Sequence, residues 1–140
     1  MSLKYLLDTN IISEAIRPSP HPNVIQTIIE HQHQIAIGAV VWHELLVGCY
    51  RMPLSQRRTT IELYLYNEVK SKLPILPYTQ TAAEWFAQER TRLISNGLTP
   101  SYADGQIAAI AQTNQLILVT RNVNDYQYFQ NLDIENWFSH

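Results

Sequence analysis

The sequence predicts a single α/β domain over residues 1–140, with three α/β/α layers around a short, mostly parallel sheet of four to five strands. Three observations carry that expectation. Short apolar runs alternate with longer stretches of helical spacing. Prolines, glycines and capping residues punctuate the boundaries. No internal repeat, low-complexity tract or long linker divides the chain. Alternation of this kind implies parallel pairing, right-handed crossovers and a sheet covered on both faces.

The elements follow in order. Leu3 to Leu7 is an apolar run ending at Asp8, which reads as a buried strand with a polar residue at its carboxyl end. Pro18, Pro20 and Pro22 break the chain before a helix over Asn23 to His31, whose Val24, Ile25, Ile28 and Ile29 share a face. Ile35 to Ala39 is a second strand, leading into a helix through Val41, Leu45, Leu46 and Cys49, with Glu44 near its start and Met52-Pro53 at its end. Ser55 is placed to cap a long helix through Ile61, Tyr64, Leu65 and Val69. Leu73 to Leu76 reads as a short strand interrupted by Pro74 and Pro77. Thr81 and Glu84 have capping-box spacing for a helix through Trp85, Phe86, Leu93 and Ile94, stopped by Gly97. Ser101 and Asp104 repeat that spacing before the small-residue helix of Ile107, Ala108, Ile110 and Ala111. Leu116 to Val119 is the clearest strand of the second half, and a short helix at Tyr126 to Gln130 and a weak strand near Ile134 close the chain.

Composition narrows the function classes. Apolar residues at 46% and charged ones at 16% allow a core, and a net charge of -2 excludes a basic nucleic-acid arm. The longest apolar run, Ile35 to Trp42, is far shorter than the roughly 18 residues of a membrane span. Tyr5-Leu6-Leu7 before Asp8 is too short for a signal-peptide core. Cys49 is the only cysteine, so no intrachain disulfide forms, which fits a cytoplasmic protein.

In open α/β sheets the ligand site lies beyond the carboxyl ends of the strands. Asp8 and Asp125 follow strands, Glu44 sits in the first turns after the second strand, and Asp104 opens the helix feeding the strand before Thr120 to Asn122. All four acids are thus placed to meet at one end of the sheet. Carboxylates within about 4 to 6 Å of one another repel unless they take up protons or share a cation. Hard oxygen ligands select magnesium, or manganese, with several waters retained. Such an ion lowers the pKa of a bound water and stabilises charge on a leaving oxygen, the chemistry of a hydrolytic nuclease.

Leu6-Leu7-Asp8-Thr9-Asn10, His43-Glu44-Leu45-Leu46-Val47-Gly48, Tyr102-Ala103-Asp104-Gly105-Gln106 with the helix after it, and Leu118-Val119-Thr120-Arg121-Asn122-Val123-Asn124-Asp125-Tyr126 resemble, in order, the four blocks of PIN-domain ribonucleases, in particular VapC-type toxins of toxin–antitoxin modules. The resemblance spans essentially the whole chain. It implies a magnesium-dependent endoribonuclease acting on RNA, a homodimer, and a small antitoxin that occupies the active-site groove. Asp8 and Asp104 match the metal-binding acids, and Glu44 and Asp125 match the other two catalytic acids of the pocket. Thr9, Thr120 and Asn122 fall where polar residues support that pocket. Gly105 departs from the pattern, where a bulkier residue is usual, and is expected to loosen the helix start.

Each residue also has a purely structural reading. Asp8-Thr9-Asn10 is good turn chemistry, Asp104 completes a capping box, and Asp125 suits a helix N-cap. Glu44 lies amid apolar residues, where an unpaired carboxylate is costly. Arg121 either contacts a phosphate or pairs with a pocket acid. Arg51, Arg57 and Arg58 form either an RNA-facing rim or a solvated helix face. His31 and His33 point apart as exposed or loop histidines, His43 is expected to face away from the acids, and Cys49 reads as core.

Haloacid-dehalogenase-type phosphatases need an acid where Asn10 stands, and receiver domains need a late lysine that Lys4, Lys70 and Lys72 do not supply. The remaining rival is a non-catalytic PIN-like module that binds RNA or a protein. Clustered acids weigh against it, because binding alone gives no reason to bear their repulsion. With the four acids set aside as a metal site, bases outnumber the remaining acids, so the cleft attracts phosphate once a cation is bound.

Overall fold

The computed structural model describes residues 2–139. Five parallel strands form the sheet: β1 (Tyr5–Leu7), β2 (Ile35–Gly38), β3 (Ile75–Leu76), β4 (Ile117–Val119) and β5 (Ile134–Glu135). Their spatial order is β3-β2-β1-β4-β5. β1 pairs with β2 through Leu6 opposite Ala36 and with β4 through Leu6 opposite Leu118. The chain therefore builds outward from β1 in one direction and then returns to its other side, making the β1–β4 junction the switch point. Right-handed crossovers put the helices of the two halves on opposite faces.

Every residue of β1 and β2 is buried, as expected for central parallel strands covered on both faces. The core gathers Leu6, Leu7, Ile37, Leu118 and Val119 from the sheet with Ile11, Val41, Leu65, Ile107 and Ile110 from the helices. β3 and β5, only two residues each, are edge strands.

Among the described residues, seven α-helices surround the sheet: α1 (Thr9–Ile16), α2 (Pro22–Glu30), α3 (Ala39–Tyr50), α4 (Gln56–Tyr64), α5 (Gln80–Ser95), α6 (Tyr102–Thr113) and α7 (Val123–Tyr126). Ser55 caps α4 as expected, and α4 continues into a π-helical turn, Leu65–Lys70. Three boundaries differ from the sequence expectation. α1 has no counterpart in it, because Asp-Thr-Asn reads as a turn; Asp8 instead caps a helix that buries Ile11 and Ile12. The cap of α5 is Thr79, whose hydroxyl accepts from Ala82 N–H, so the helix begins before the proposed Thr81–Glu84 box. α7 begins at Val123, three residues ahead of the expected start, because Asn122 N–H is taken up by Thr120 Oγ1. Gly97 ends α5 in the left-handed region, with φ at 81°.

One buried acid locks the segment after α7 onto α5. Glu89 accepts from Arg92 Nε and Nη2, both at 3.0 Å, and from the backbone N–H of Gln130 at 2.7 Å. Arg92 Nη2 also donates to the Tyr128 carbonyl at 2.8 Å. Burial raises the Glu89 pKa, but the Arg92 and Gln130 donors outweigh it and hold the carboxyl below its ordinary range. A depressed folded pKa gives stability that is present above the unfolded value and lost as pH falls through the folded one. Glu89→Ala is expected to cost about 2–3 kcal/mol at neutral pH, since it strips a charged acceptor from a buried N–H. The deficit relative to wild type should shrink as acid is added; denaturant melts at pH 7 and pH 3 measure both effects.

Candidate active site

The acids meet where the topology places them. Asp8 follows β1 directly, its N–H extending the ladder to the Val119 carbonyl at 2.9 Å. It is 5% exposed, and its carboxylate accepts from Thr9 N–H at 2.8 Å through Oδ1 and from Thr120 Oγ1 at 2.8 Å through Oδ2. Its capping role and its site role therefore coexist. Asn10 Nδ2 lies 3.4 Å from Asp8 Oδ2 and 3.5 Å from Thr120 Oγ1, while Asn10 Oδ1 accepts from Arg121 N–H at 3.1 Å. Thr120, fully buried, is thus the hub between β1 and β4.

Glu44 comes from the second turn of α3, and Thr9 Oγ1 donates to its Oε1 at 2.6 Å. Asp104 stands in the first turn of α6, where Ser101 Oγ accepts from its N–H at 3.1 Å. The Asp104 carboxylate does more than cap: its Oδ1 accepts from Tyr126 Oη at 3.1 Å, and the same phenol oxygen lies 3.3 Å from Asp8 Oδ2. Asp125 lies in the first turn of α7, not at its N-cap, and shares a cleft of about 220 Å³ with Asp104, Ser101 and Asn124.

The clustered acids also act on one another electrostatically. Burial is the first cause of the raised Asp8 pKa, offset by Thr120 and Thr9 and reinforced by the charges of Asp104 and Glu44. Asp104 is raised in the same way, by burial first, against the Tyr126 and Ser101 hydroxyls, and further by Asp125 and Glu44. Both folded pKa values stand above their unfolded ones, so the metal-free protein loses stability as pH rises from the ordinary carboxylate range through the raised values. Asp104→Asn should therefore raise the melting temperature of the metal-free protein at pH 7, by roughly 1–3 °C, with no gain near pH 4. A variant that melts below wild type in chelator at pH 7 would contradict this.

The donor set suits a hard divalent cation. All four groups are carboxylates, and Tyr126 has one proton to offer two of them, so acceptor oxygens outnumber the donors that face them. Among the described residues no three His, Cys, Asp or Glu side chains are gathered into a ready-made metal cage.

The remaining expectations divide. Thr9 and Thr120 support the acids directly through their hydroxyls, whereas Asn122 does so through its backbone N–H. Among the described residues Arg121 pairs with no pocket acid; it is exposed, and its guanidinium lies 4.6 Å from the Phe138 ring centroid. His43 borders an open cleft of about 500 Å³ with Glu44, Val47, Arg51 and Gln106, which Asp8, Asp104 and Asp125 do not line. Glu44 also lines a second, more apolar cleft of about 200 Å³, bordered by Arg17 and Arg57. Arg58 is turned back, donating to the Met52 carbonyl and lying over the Tyr50 ring. His31 packs against Tyr5 and Trp137 and Cys49 is buried. Gly105 does not loosen the start of α6; a Cβ there would sit 1.9 Å from the Phe86 ring, so its bare backbone lets α5 and α6 close up beside Asp104. Tyr126, Asn10 and Ser101 were not among the expected site residues. Only the apolar spacing of Val123, Tyr126 and Phe129 hints that Tyr126 turns inward.

Comparison with known proteins points the same way. The PIN domain family matches residues 5–132. The VapC ribonuclease Y4jK of Sinorhizobium fredii is 31% identical over 134 residues, covering 94% of this chain and 95% of that protein. Among solved structures, FitAcB from Neisseria gonorrhoeae superimposes with a TM-score of 0.90 at 26% identity, covering 97% of this chain and 99% of the other. A toxin-antitoxin complex from Klebsiella pneumoniae gives a TM-score of 0.68 at 25% identity, covering 92% and 95%.

Proposed function

Because the chain belongs to the PIN domain family, we propose that it is a magnesium-dependent endoribonuclease, the toxin of a toxin–antitoxin pair. The observation that carries this reading is the joining of Asp8, from the end of β1, and Asp104, from the start of α6, through one buried phenol, with Glu44 held alongside by Thr9. The ribonuclease and toxin–antitoxin names of similar proteins support the activity and the partner.

Asp8 and Asp104 would hold the magnesium or manganese ion, with Glu44 and Asp125 completing its surroundings. Bound there, the ion supplies a Lewis acid and a water acidic enough to attack near neutral pH. Thr9 and Thr120 fix the orientation of Glu44 and Asp8, so these carboxylates need no rearrangement during the reaction. Glu44 and Asp125 orient the attacking water and receive its proton. The water oxygen bonds to phosphorus, the bridging ester bond breaks, and the leaving oxygen ends protonated, giving one phosphate monoester and one hydroxyl. Arg51 and Arg57, each in a cleft that Glu44 also lines, would receive flanking phosphates. Single-stranded or loop RNA fits best, because its backbone reaches a recessed site more readily than that of a duplex.

The toxin role brings with it a small antitoxin that covers the acid groove, a homodimeric assembly and action in the cytoplasm. No helix among the described residues is long and apolar enough to cross a membrane. The test is cleavage of unstructured RNA by folded, inhibitor-free protein with magnesium and with chelator. Cutting with magnesium alone, suppressed by the antitoxin, is expected. Magnesium-independent RNA binding without cutting would replace this reading with the non-catalytic module.

A further inference from the structure

Asp8 and Asp104 reach the site on different elements, one at the end of a central strand and one on a helix. They repel each other, and the contact they share is Tyr126. Its ring is 1% exposed and tilted against Phe129, with centroids 6.4 Å apart, so the hydroxyl has little freedom to swing away. The start of α7 is fixed in turn by Asn122 N–H on Thr120 Oγ1, the same hydroxyl oxygen whose proton goes to Asp8. One network therefore fixes the phenol and one of the carboxylates it touches. With an ordinary pKa of about 10, a phenol is a neutral donor near neutral pH. A neutral phenol offers one proton, which satisfies one oxygen and leaves the facing oxygen with lone pairs unclaimed.

We propose that Tyr126 is a positioning residue: its single hydroxyl bridges Asp8 Oδ2 and Asp104 Oδ1 and sets the spacing of the two carboxylates before a divalent cation arrives. This rests on the reading of these acids as a metal site. Tyr126→Phe keeps the ring and removes only the bridge. The carboxylates then relax apart, and cation binding must draw them together again. Groups that orient metal ligands from behind typically change affinity by about 10- to 100-fold when removed.

The test is Mn²⁺ affinity of the full-length protein, read by electron paramagnetic resonance of free Mn²⁺, for wild type, Tyr126→Phe, Asp104→Asn and the double variant. Tyr126→Phe should weaken binding about 10-fold or more. In the Asp104→Asn background it should cause less than a threefold further loss, because the bridge has lost one of its two carboxylates. Affinity within twofold of wild type, or the same fold-loss in both backgrounds, would overturn the proposal. Should Tyr126→Phe fail to fold, wild type still decides it: the metal-free protein should show an exchange-protected, hydrogen-bonded Tyr126 hydroxyl proton by nuclear magnetic resonance, and its absence overturns the bridge. A wild-type protein that binds no Mn²⁺ would instead remove the metal-site reading, and the positioning role with it.

Discussion

Asp8→Asn leaves the protein folded and lowers magnesium-supported RNA cleavage by about 10³-fold or more, a loss of several kcal/mol of transition-state stabilisation. Asparagine matches aspartate in shape and its Oδ1 still accepts from Thr9 N–H, so the cap of α1 survives. On the other side its amide meets Thr120 Oγ1 and Tyr126 Oη, both of which are able to accept instead of donate. What disappears is the negative charge at the β1–β4 switch point. Asp104→Asn should behave alike, and the double variant should be little worse than either single, because the two acids act as one unit. Circular dichroism together with a single-turnover cleavage rate separates lost chemistry from lost fold. A variant that keeps more than a tenth of wild-type activity would remove Asp8 from the catalytic set.

Gly105→Ala is expected to be the most damaging one-methyl change in the chain. The added Cβ would lie 1.9 Å from Phe86 Cε1 and Cζ, and a phenyl ring that is itself 4% exposed has nowhere to turn. Overpacking a core typically costs 1–3 kcal/mol. Here the upper end is expected, about 3 kcal/mol, or roughly 10 °C in melting temperature for a chain of this length. Cleavage should fall as well, because any separation of α5 and α6 displaces the neighbouring Asp104. Phe86→Leu combined with Gly105→Ala should recover most of the loss, since the smaller side chain vacates the space. Thermal melts of the two single variants and the pair measure this, and an unchanged Gly105→Ala melt would contradict the packing argument.

The same residue shows where sequence reading stops. From sequence, Gly105 is a weak helix former in a helix; that a ring from α5 needs its missing side chain is a tertiary fact. Periodicity and burial logic were enough for β1, β2, β4 and most helices, because continuous apolar runs of that length have few alternatives in an α/β chain. α1 escaped because its eight residues sit between turn chemistry and a proline-rich break, and the Asp8 cap was visible only as a turn. The four acids were legible because the carboxyl ends of parallel strands converge whatever the side chains between them. Tyr126 was not, since its hydroxyl gains meaning only when α7, α6 and β1 approach within hydrogen-bond distance. His43 and Glu44, adjacent on α3, diverge by about 100°, yet both border one open cleft. Arg121, read from sequence as a phosphate contact or the partner of a pocket acid, lies over the Phe138 ring in the fold.

The central claim is that these carboxylates cut RNA only through a divalent cation they hold together. Single-turnover cleavage of an unstructured RNA should be followed across a magnesium titration, in folded and antitoxin-free protein, for wild type, Asp8→Asn and Asp104→Asn. Saturable magnesium dependence in wild type, abolished by chelator and restored by added magnesium, with both variants near background throughout, is the predicted result. Cleavage that survives both chelation and either substitution would contradict it.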